Sequence, residues 1–241
     1  MDKQEEGRQA HTESPAICLK LPGLSIALTG PWAVITLVTL LVLVLAVVYL
    51  VIAKTEPKLW VSGGLWILFI AYWSAAAKNA APTRSSESPA SRQLHQLLMY
   101  GSLLLAFLPA PGLGRQWLPM ASRIRVPIGL AVQVGSALLA VWARRHLGRN
   151  WSGAITAKVD HQLIRTGPYR FVRHPIYSAM LGMFLGTAVV SGELHGLLAL
   201  VIIAVAYWRK IRIEEQHLRN VFGAEYDDYR KRSWALIPGL L

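Results

Sequence analysis

The 241-residue chain has a single cysteine, Cys18, which excludes an intrachain disulfide and any thiolate metal cage. Acidic residues are also scarce: 13 Asp and Glu stand against 25 Lys and Arg, a formal charge of +12. No G-x-G-x-x-G follows a strand pattern, no P-loop lysine is present and no G-x-S-x-G elbow occurs. Rossmann, Walker and serine hydrolase sites are thereby excluded. Glu214 and His217 form one Glu-x-x-His pair, whereas a carboxylate-bridged di-metal bundle needs two, so no metal is expected. The basic surplus flanks apolar runs and forms no basic helix, zinc finger or RNA-binding motif, which argues against nucleic acid as a partner.

What the chain does have is apolar length. Hydrophobic residues make up 54% of it and the mean hydropathy is +0.38, values of a polytopic membrane protein. The reading is an all-α transmembrane bundle of about six spans. Pro31 to Ala53 carries no charge and reaches about 34 Å as a helix, more than the roughly 30 Å of hydrocarbon. Leu59 to Ala77 follows a short turn, then a serine-rich loop over Lys78 to Ser91, a short span over Leu94 to Leu108, and a fourth over Val126 to Ala143. In the fourth, Gln133 and Ser136 are expected to bond between helices. Ile176 to Gly192 and Leu194 to Trp208 read as a tilted or partly inserted hairpin, with Gly192-Glu193 as its turn.

Residues 1 to 30 read as a partly disordered cytoplasmic tail, 31 to 143 as the N-terminal membrane helices, and 144 to 241 as a C-terminal catalytic region containing the hairpin. With six spans, 20 Lys and Arg share one side with both termini and 5 lie opposite, which predicts that the C-terminal polar clusters face the cytoplasm. Arg115, Arg123 and Arg125 run against that asymmetry, and a re-entrant third span would account for them.

Two charged clusters flank the hairpin. The first is Arg165-Thr-Gly-Pro-Tyr-Arg-Phe-Val-Arg-His-Pro-Ile-Tyr177, where Gly167-Pro168 stops a helix and Pro175 pushes His174 toward extended backbone. The second is Arg212-Ile-Glu-Glu-Gln-His-Leu218. Ionisable groups at the ends of short membrane helices are costly and mark function. Adjacent helical residues point about 100° apart, so only one of Glu214 and Glu215 is expected to face a ligand while the other pairs with arginine, Arg219 being in reach of Glu215. Phe222-Gly223 is a helix stop, and Tyr226 and Tyr229 are expected on an amphipathic helix docked on the membrane surface.

This order resembles the isoprenylcysteine carboxyl methyltransferase family, whose G-x-Y-x-x-x-R-H-P-x-Y, hairpin, E-E-x-x-L, F-G and Y-x-x-Y all have counterparts from about Leu147 onward. The resemblance implies an integral membrane enzyme that takes a methyl group from S-adenosylmethionine, leaving S-adenosylhomocysteine. Its acceptor would be a lipophilic small molecule or prenylated substrate reached through membrane lipid, with carboxyl O-methylation as the expected reaction. It places cofactor binding at Gly167, Tyr169, His174, Pro175, Tyr177, Glu214, Glu215 and Leu218, with Arg173 and His174 as catalytic candidates. Glu214 or Glu215 would accept from ribose hydroxyls or ammonium, Arg173 or His174 would meet a carboxylate, and Tyr169 or Tyr177 would stack or hydrogen-bond. The alternatives are N-methylation of an ethanolamine phospholipid, an NADPH-dependent membrane reductase with a similar R-H-P-x-Y, and a non-enzymatic scaffold.

Overall fold

The computed structural model describes residues 17–21, 24–28, five helical positions between 39 and 45, and 57–77, 88–108, 110–148, 151 and 163–239. The predicted span Pro31 to Ala53 lies outside the described residues, apart from those five positions. The chain divides into two units, Met1–Val48 and Tyr49–Leu241. In the first, β1 (Ile17–Leu21) pairs antiparallel with β2 (Leu24–Leu28), Ile17 opposite Leu28. Alternating apolar residues around Pro22-Gly23 suit a short hairpin, which appears within the segment read as a tail.

The second unit is helical: α1 (Pro57–Ala77), α2 (Pro89–Phe107), α3 (Ser122–Leu147), a 3-10 turn (Gly167–Arg170), α4 (Pro175–Ser191), α5 (Leu194–Phe222) and α6 (Ala224–Lys231). Among the described residues, α1, α3 and α5 are long and apolar enough to cross a bilayer, and α4 is a shorter apolar helix of 17 residues. Leu68, Leu97, Leu138 and Val205 are exposed, as lipid-facing side chains of a membrane bundle are. Three boundaries differ from the sequence reading. Helix α2 starts five residues early because the Ser88 hydroxyl accepts from the Ser91 amide (3.3 Å) and Pro89 occupies the first turn. Helix α3 tolerates Pro127 close to its start. Helix α5 does not end at Trp208: nothing between Arg209 and Phe222 breaks a helix, so its 29 residues, about 43 Å, run from the hairpin turn past the Glu214-Glu215 pair to Phe222.

Small residues set the helix spacing. Helices α3 and α4 run antiparallel, with Gly129 against Gly186 so closely that a Cβ on Gly186 would lie 2.6 Å from the Gly129 carbonyl. Gly182 meets the Ser136 side chain, so the Gly182-x-x-x-Gly186 pattern packs helices within this chain, and Ser136 serves as a small contact surface. Next to this seam Ser62 donates to Gln133 (2.9 Å), Gln133 donates to the Ser62 carbonyl (3.0 Å), and the Trp66 indole donates to Thr187 (2.9 Å). Gln133 thus does bond between helices, joining α3 to α1. Gly186→Val is expected to destabilise the purified protein by about 1 to 3 kcal/mol, because Gly129 and Gln133 backbone atoms cannot give way. Gly64→Ala, with no atom within 4 Å of the added Cβ, should be neutral or slightly stabilising. Thermal unfolding of both variants in one detergent checks the contrast; equal losses would refute the seam.

At the end where α3 starts, Arg125 is only 3% exposed and donates to the Val190 and Ser191 carbonyls that end α4. Its guanidinium fills the space that a side chain at residue 192 would take, and Gly192 has a φ of 68°. One of the three arginines that contradicted the charge asymmetry is therefore a buried helix cap and not a loop charge. The loop over 110–121 is stitched to the same turn by Trp117 N to Gly192 O and Leu194 N to Arg115 O, both 3.0 Å.

Candidate active site

Because α4 begins where α5 projects out of the apolar bundle, Arg173, His174 and Tyr177 face Glu214 and Glu215. His174 is the N-cap of α4 and Pro175 its first residue, an arrangement that fixes the imidazole at the helix mouth. The ring is buried, with Nε2 3.5 Å from Glu215 and Nδ1 3.8 Å from Glu214. It stacks on Tyr177 with planes 5° apart, and Tyr177 stacks on Tyr207 with centroids 4.8 Å apart. His95 from α2 meets the far side of Tyr207 edge-on at 5.3 Å.

The two glutamates have different partners, as their angular offset requires. Glu215 takes the Arg173 Nε at 2.8 Å and the Arg230 Nε at 3.2 Å, and its side chain is 14% exposed. Glu214 accepts from the Tyr177 hydroxyl at 2.6 Å and is 29% exposed. Glu215 is thus neutralised by two arginines, while Glu214 keeps acceptor capacity toward solvent. Arg219 turns to Asp227 (3.4 Å) instead of Glu215. Leu218 is half-buried on the same face, one turn beyond Glu214.

Arg173 is the main departure from the sequence reading. Besides Glu215 it donates to the Arg230 and Ser233 carbonyls, which makes it a clamp between the α4 mouth and the C-terminal segment rather than a group aimed at an acceptor. That segment also pairs with the loop through backbone: Arg173 N to Trp234 O (2.8 Å), His174 N to Ala235 O (3.1 Å) and Trp234 N to Phe171 O (3.0 Å). The Ser178 hydroxyl donates to Leu236 O at 2.5 Å. Tyr226 and Tyr229 are buried, and the Tyr229 hydroxyl donates to Tyr169 O at 2.5 Å. Helix α6 therefore docks these tyrosines onto the site loop; they do not face the membrane surface. Burial raises the Tyr169 and Tyr226 phenols well above the ordinary value and that of Tyr229 to about 12, so all three stay neutral at physiological pH.

Gly167 and Tyr169 sit behind the cluster. Gly167 has a φ of 58° and presses on the His146 ring, where a Cβ would come within 2.7 Å. The Tyr169 hydroxyl reaches toward the Ala143 carbonyl at 3.5 Å. Both shape the loop, and neither hydrogen-bonds to the glutamates. Arg230, Tyr207 and Lys210 were missed in the sequence. Tyr207 and Lys210 precede Glu214 by seven and four positions, the spacing of one helical face, which would have exposed them had α5 been continued past Trp208. Lys210 lies 5.7 Å from the Tyr177 ring centre.

The phospholipid methyltransferase family profile matches residues 124–225. Protein-S-isoprenylcysteine O-methyltransferase B of Arabidopsis thaliana is 28% identical over 179 residues, 72% of this chain and 85% of its own. The Saccharomyces cerevisiae protein-S-isoprenylcysteine O-methyltransferase is 29% identical over 125 residues, 49% of this chain and 51% of its own, so the matched region spans about half the length of the yeast relative. The solved structure of a eukaryotic intramembrane Ras methyltransferase, isoprenylcysteine carboxyl methyltransferase, has the same fold, with a TM-score of 0.52 and 24% identity over 83% of this chain and 73% of that one. Over the region from α3 to the end of α5 the chain is thus similar to phospholipid methyltransferases and to protein-S-isoprenylcysteine O-methyltransferases, and it shares the fold of an intramembrane methyltransferase.

Proposed function

We propose that this protein transfers a methyl group from S-adenosylmethionine to the carboxylate of a lipophilic, isoprenylcysteine-like acceptor at the cytoplasmic membrane face. The observation that carries the reading is the division of labour between the glutamates: Glu215 held by two arginines, and Glu214 left partly open beside His174 and Tyr177. That arrangement fits a donor with hydroxyls and an ammonium, since Glu214 retains acceptor sites and the buried His174 Nε2 has no hydrogen-bond partner among the described residues. S-adenosylmethionine, when bound, supplies an electrophilic methyl on a sulfonium. Glu214 would orient the ammonium or ribose hydroxyls, with Tyr177 fixing the carboxylate rotamer and Leu218 and Pro175 giving apolar walls.

An acceptor carboxylate is already ionised at neutral pH, so its oxygen attacks without a general base and no proton need move at His174. Catalysis then rests on holding donor and acceptor in line and on keeping water away. The apolar part of the acceptor would lie among the bundle helices, while the cofactor arrives from the aqueous side. The cytoplasmic orientation is supported by the excess of basic residues on the side of the cluster, and withdrawing the buried Arg125 from the opposite side strengthens that asymmetry.

The test is ligand binding followed by acceptor chemistry on the detergent-purified full chain. S-adenosylmethionine and S-adenosylhomocysteine should raise thermal stability and NADPH should not. With radiolabelled donor and farnesylcysteine, the label should enter a product that releases methanol on mild base treatment, as an ester does. Base-stable label, or stabilisation by NADPH alone, would overturn the assignment.

A further inference from the structure

Helix α2 carries a buried histidine, His95, on the face that packs against α5. An ionisable ring on an apolar helix is costly to bury and marks a role. Its Nδ1 has no hydrogen-bond partner among the described residues, so that nitrogen does not secure the ring. What the ring does is pack. It meets Tyr207 edge-on, with centroids 5.3 Å apart and planes at 62°.

Tyr207 is only 3% exposed and is enclosed between two rings, His95 from α2 and Tyr177 from α4, the latter stacked at 4.8 Å. The Tyr177 hydroxyl donates to Glu214 at 2.6 Å, and its ring lies parallel to His174 at 5.4 Å. The rings of His95, Tyr207, Tyr177 and His174 thus form a column that begins on α2 and ends at the glutamate cluster. Arg209 of α5 donates to the Ser91 hydroxyl at 2.8 Å, one helical turn before His95, and this bond holds α2 against α5 at the depth of the column. In a close-packed interior Tyr177 tilts only if Tyr207 yields, and Tyr207 yields only if His95 does. We propose that His95 is a positioning residue for the donor site: through Tyr207 it fixes the Tyr177 ring, whose hydroxyl aims the Glu214 carboxylate at the methyl donor. The inference rests on the reading of Glu214 as a donor-binding group.

The experiment combines a spectroscopic reading of Tyr177 with donor affinity, both on the detergent-purified full chain. With 3-fluorotyrosine at position 177, the fluorine resonance of the unliganded protein should shift or split in His95→Leu and return to its native place in His95→Phe, which keeps an aromatic edge. His95→Leu should weaken S-adenosylhomocysteine binding about threefold to tenfold, the worth of one aromatic pair, with His95→Phe restoring it. In a Tyr177→Phe background His95→Leu should add no further loss, because the hydroxyl it positions is gone. Leu97→Ala, exposed on another face of α2, should leave resonance and affinity unchanged. An equal loss of affinity with and without the Tyr177 hydroxyl, or a native resonance in His95→Leu, would overturn the proposal. If His95→Leu does not fold, Tyr207→Leu, which removes the ring between them, must move the same resonance, and a native resonance there would overturn it equally. Failure of the native chain to bind S-adenosylhomocysteine would instead overturn the donor reading, since the resonance reports on the ring column without ligand.

Discussion

Glu214→Gln is expected to weaken S-adenosylmethionine binding by about tenfold to a hundredfold, and to lower turnover with it, while the unfolding midpoint stays near that of the native chain. The magnitude is that of a hydrogen bond to a charged group, roughly 1.5 to 3 kcal/mol. The spared stability follows from the environment: Glu214 is 29% exposed, with His174 Nδ1 3.8 Å away, and it accepts from the Tyr177 hydroxyl at 2.6 Å, a bond that a glutamine carbonyl can still accept. Tyr177→Phe should be milder in binding, because it frees the carboxylate rotamer without removing its charge. Calorimetric titration of both variants with S-adenosylhomocysteine measures the loss apart from chemistry. Native affinity and turnover in Glu214→Gln would mean that the donor lies elsewhere, while the membrane fold would stand.

The sequence made some parts of this molecule legible and hid others, for physical reasons that differ between them. Spans such as α1 show because a charge-free run has one stable home in a bilayer, and the α4–α5 turn shows because Gly192 is where the backbone goes left-handed. The order of Arg173, His174, Glu214 and Glu215 was readable as a cluster because the hairpin returns the chain to the same end. The continuation of α5 was not: the change from apolar to charged at Arg209 marks where a bilayer ends, but a helix needs no such change to continue. Arg125 read as a loop charge because its partners are the Val190 and Ser191 carbonyls, and carbonyls leave no trace in a sequence. The same holds for Trp234, Ala235 and Leu236, whose backbone oxygens tie down the site loop whatever their side chains.

The role of Arg173 follows from that hidden contact, and it predicts the largest loss of stability. Arg173→Ala is expected to destabilise the protein by about 3 kcal/mol, since it leaves the largely buried Glu215 with Arg230 as its remaining arginine and takes the donor from the Arg230 and Ser233 carbonyls. Arg173 and Glu215 are 9% and 14% exposed at their side chains, and Arg173 alone joins Glu215 to the carbonyls of Arg230 and Ser233. Arg173→Lys should recover only part, because one ammonium cannot serve three acceptors in the geometry of a guanidinium. Glu215→Ala should also destabilise, by leaving Arg173 and Arg230 facing each other without their shared carboxylate. The double variant should cost less than the two singles together, since both changes remove the same Arg173–Glu215 ion pair. The clamp also predicts where the damage shows first. In Arg173→Ala, limited proteolysis should cut near Ser233 under conditions that leave the native chain intact, because the Ser233 carbonyl then loses the guanidinium that ties it to the α4 mouth. A catalytic arginine aimed at the acceptor would behave in the opposite way: Arg173→Ala would keep native protease resistance and unfolding midpoint and lose turnover alone.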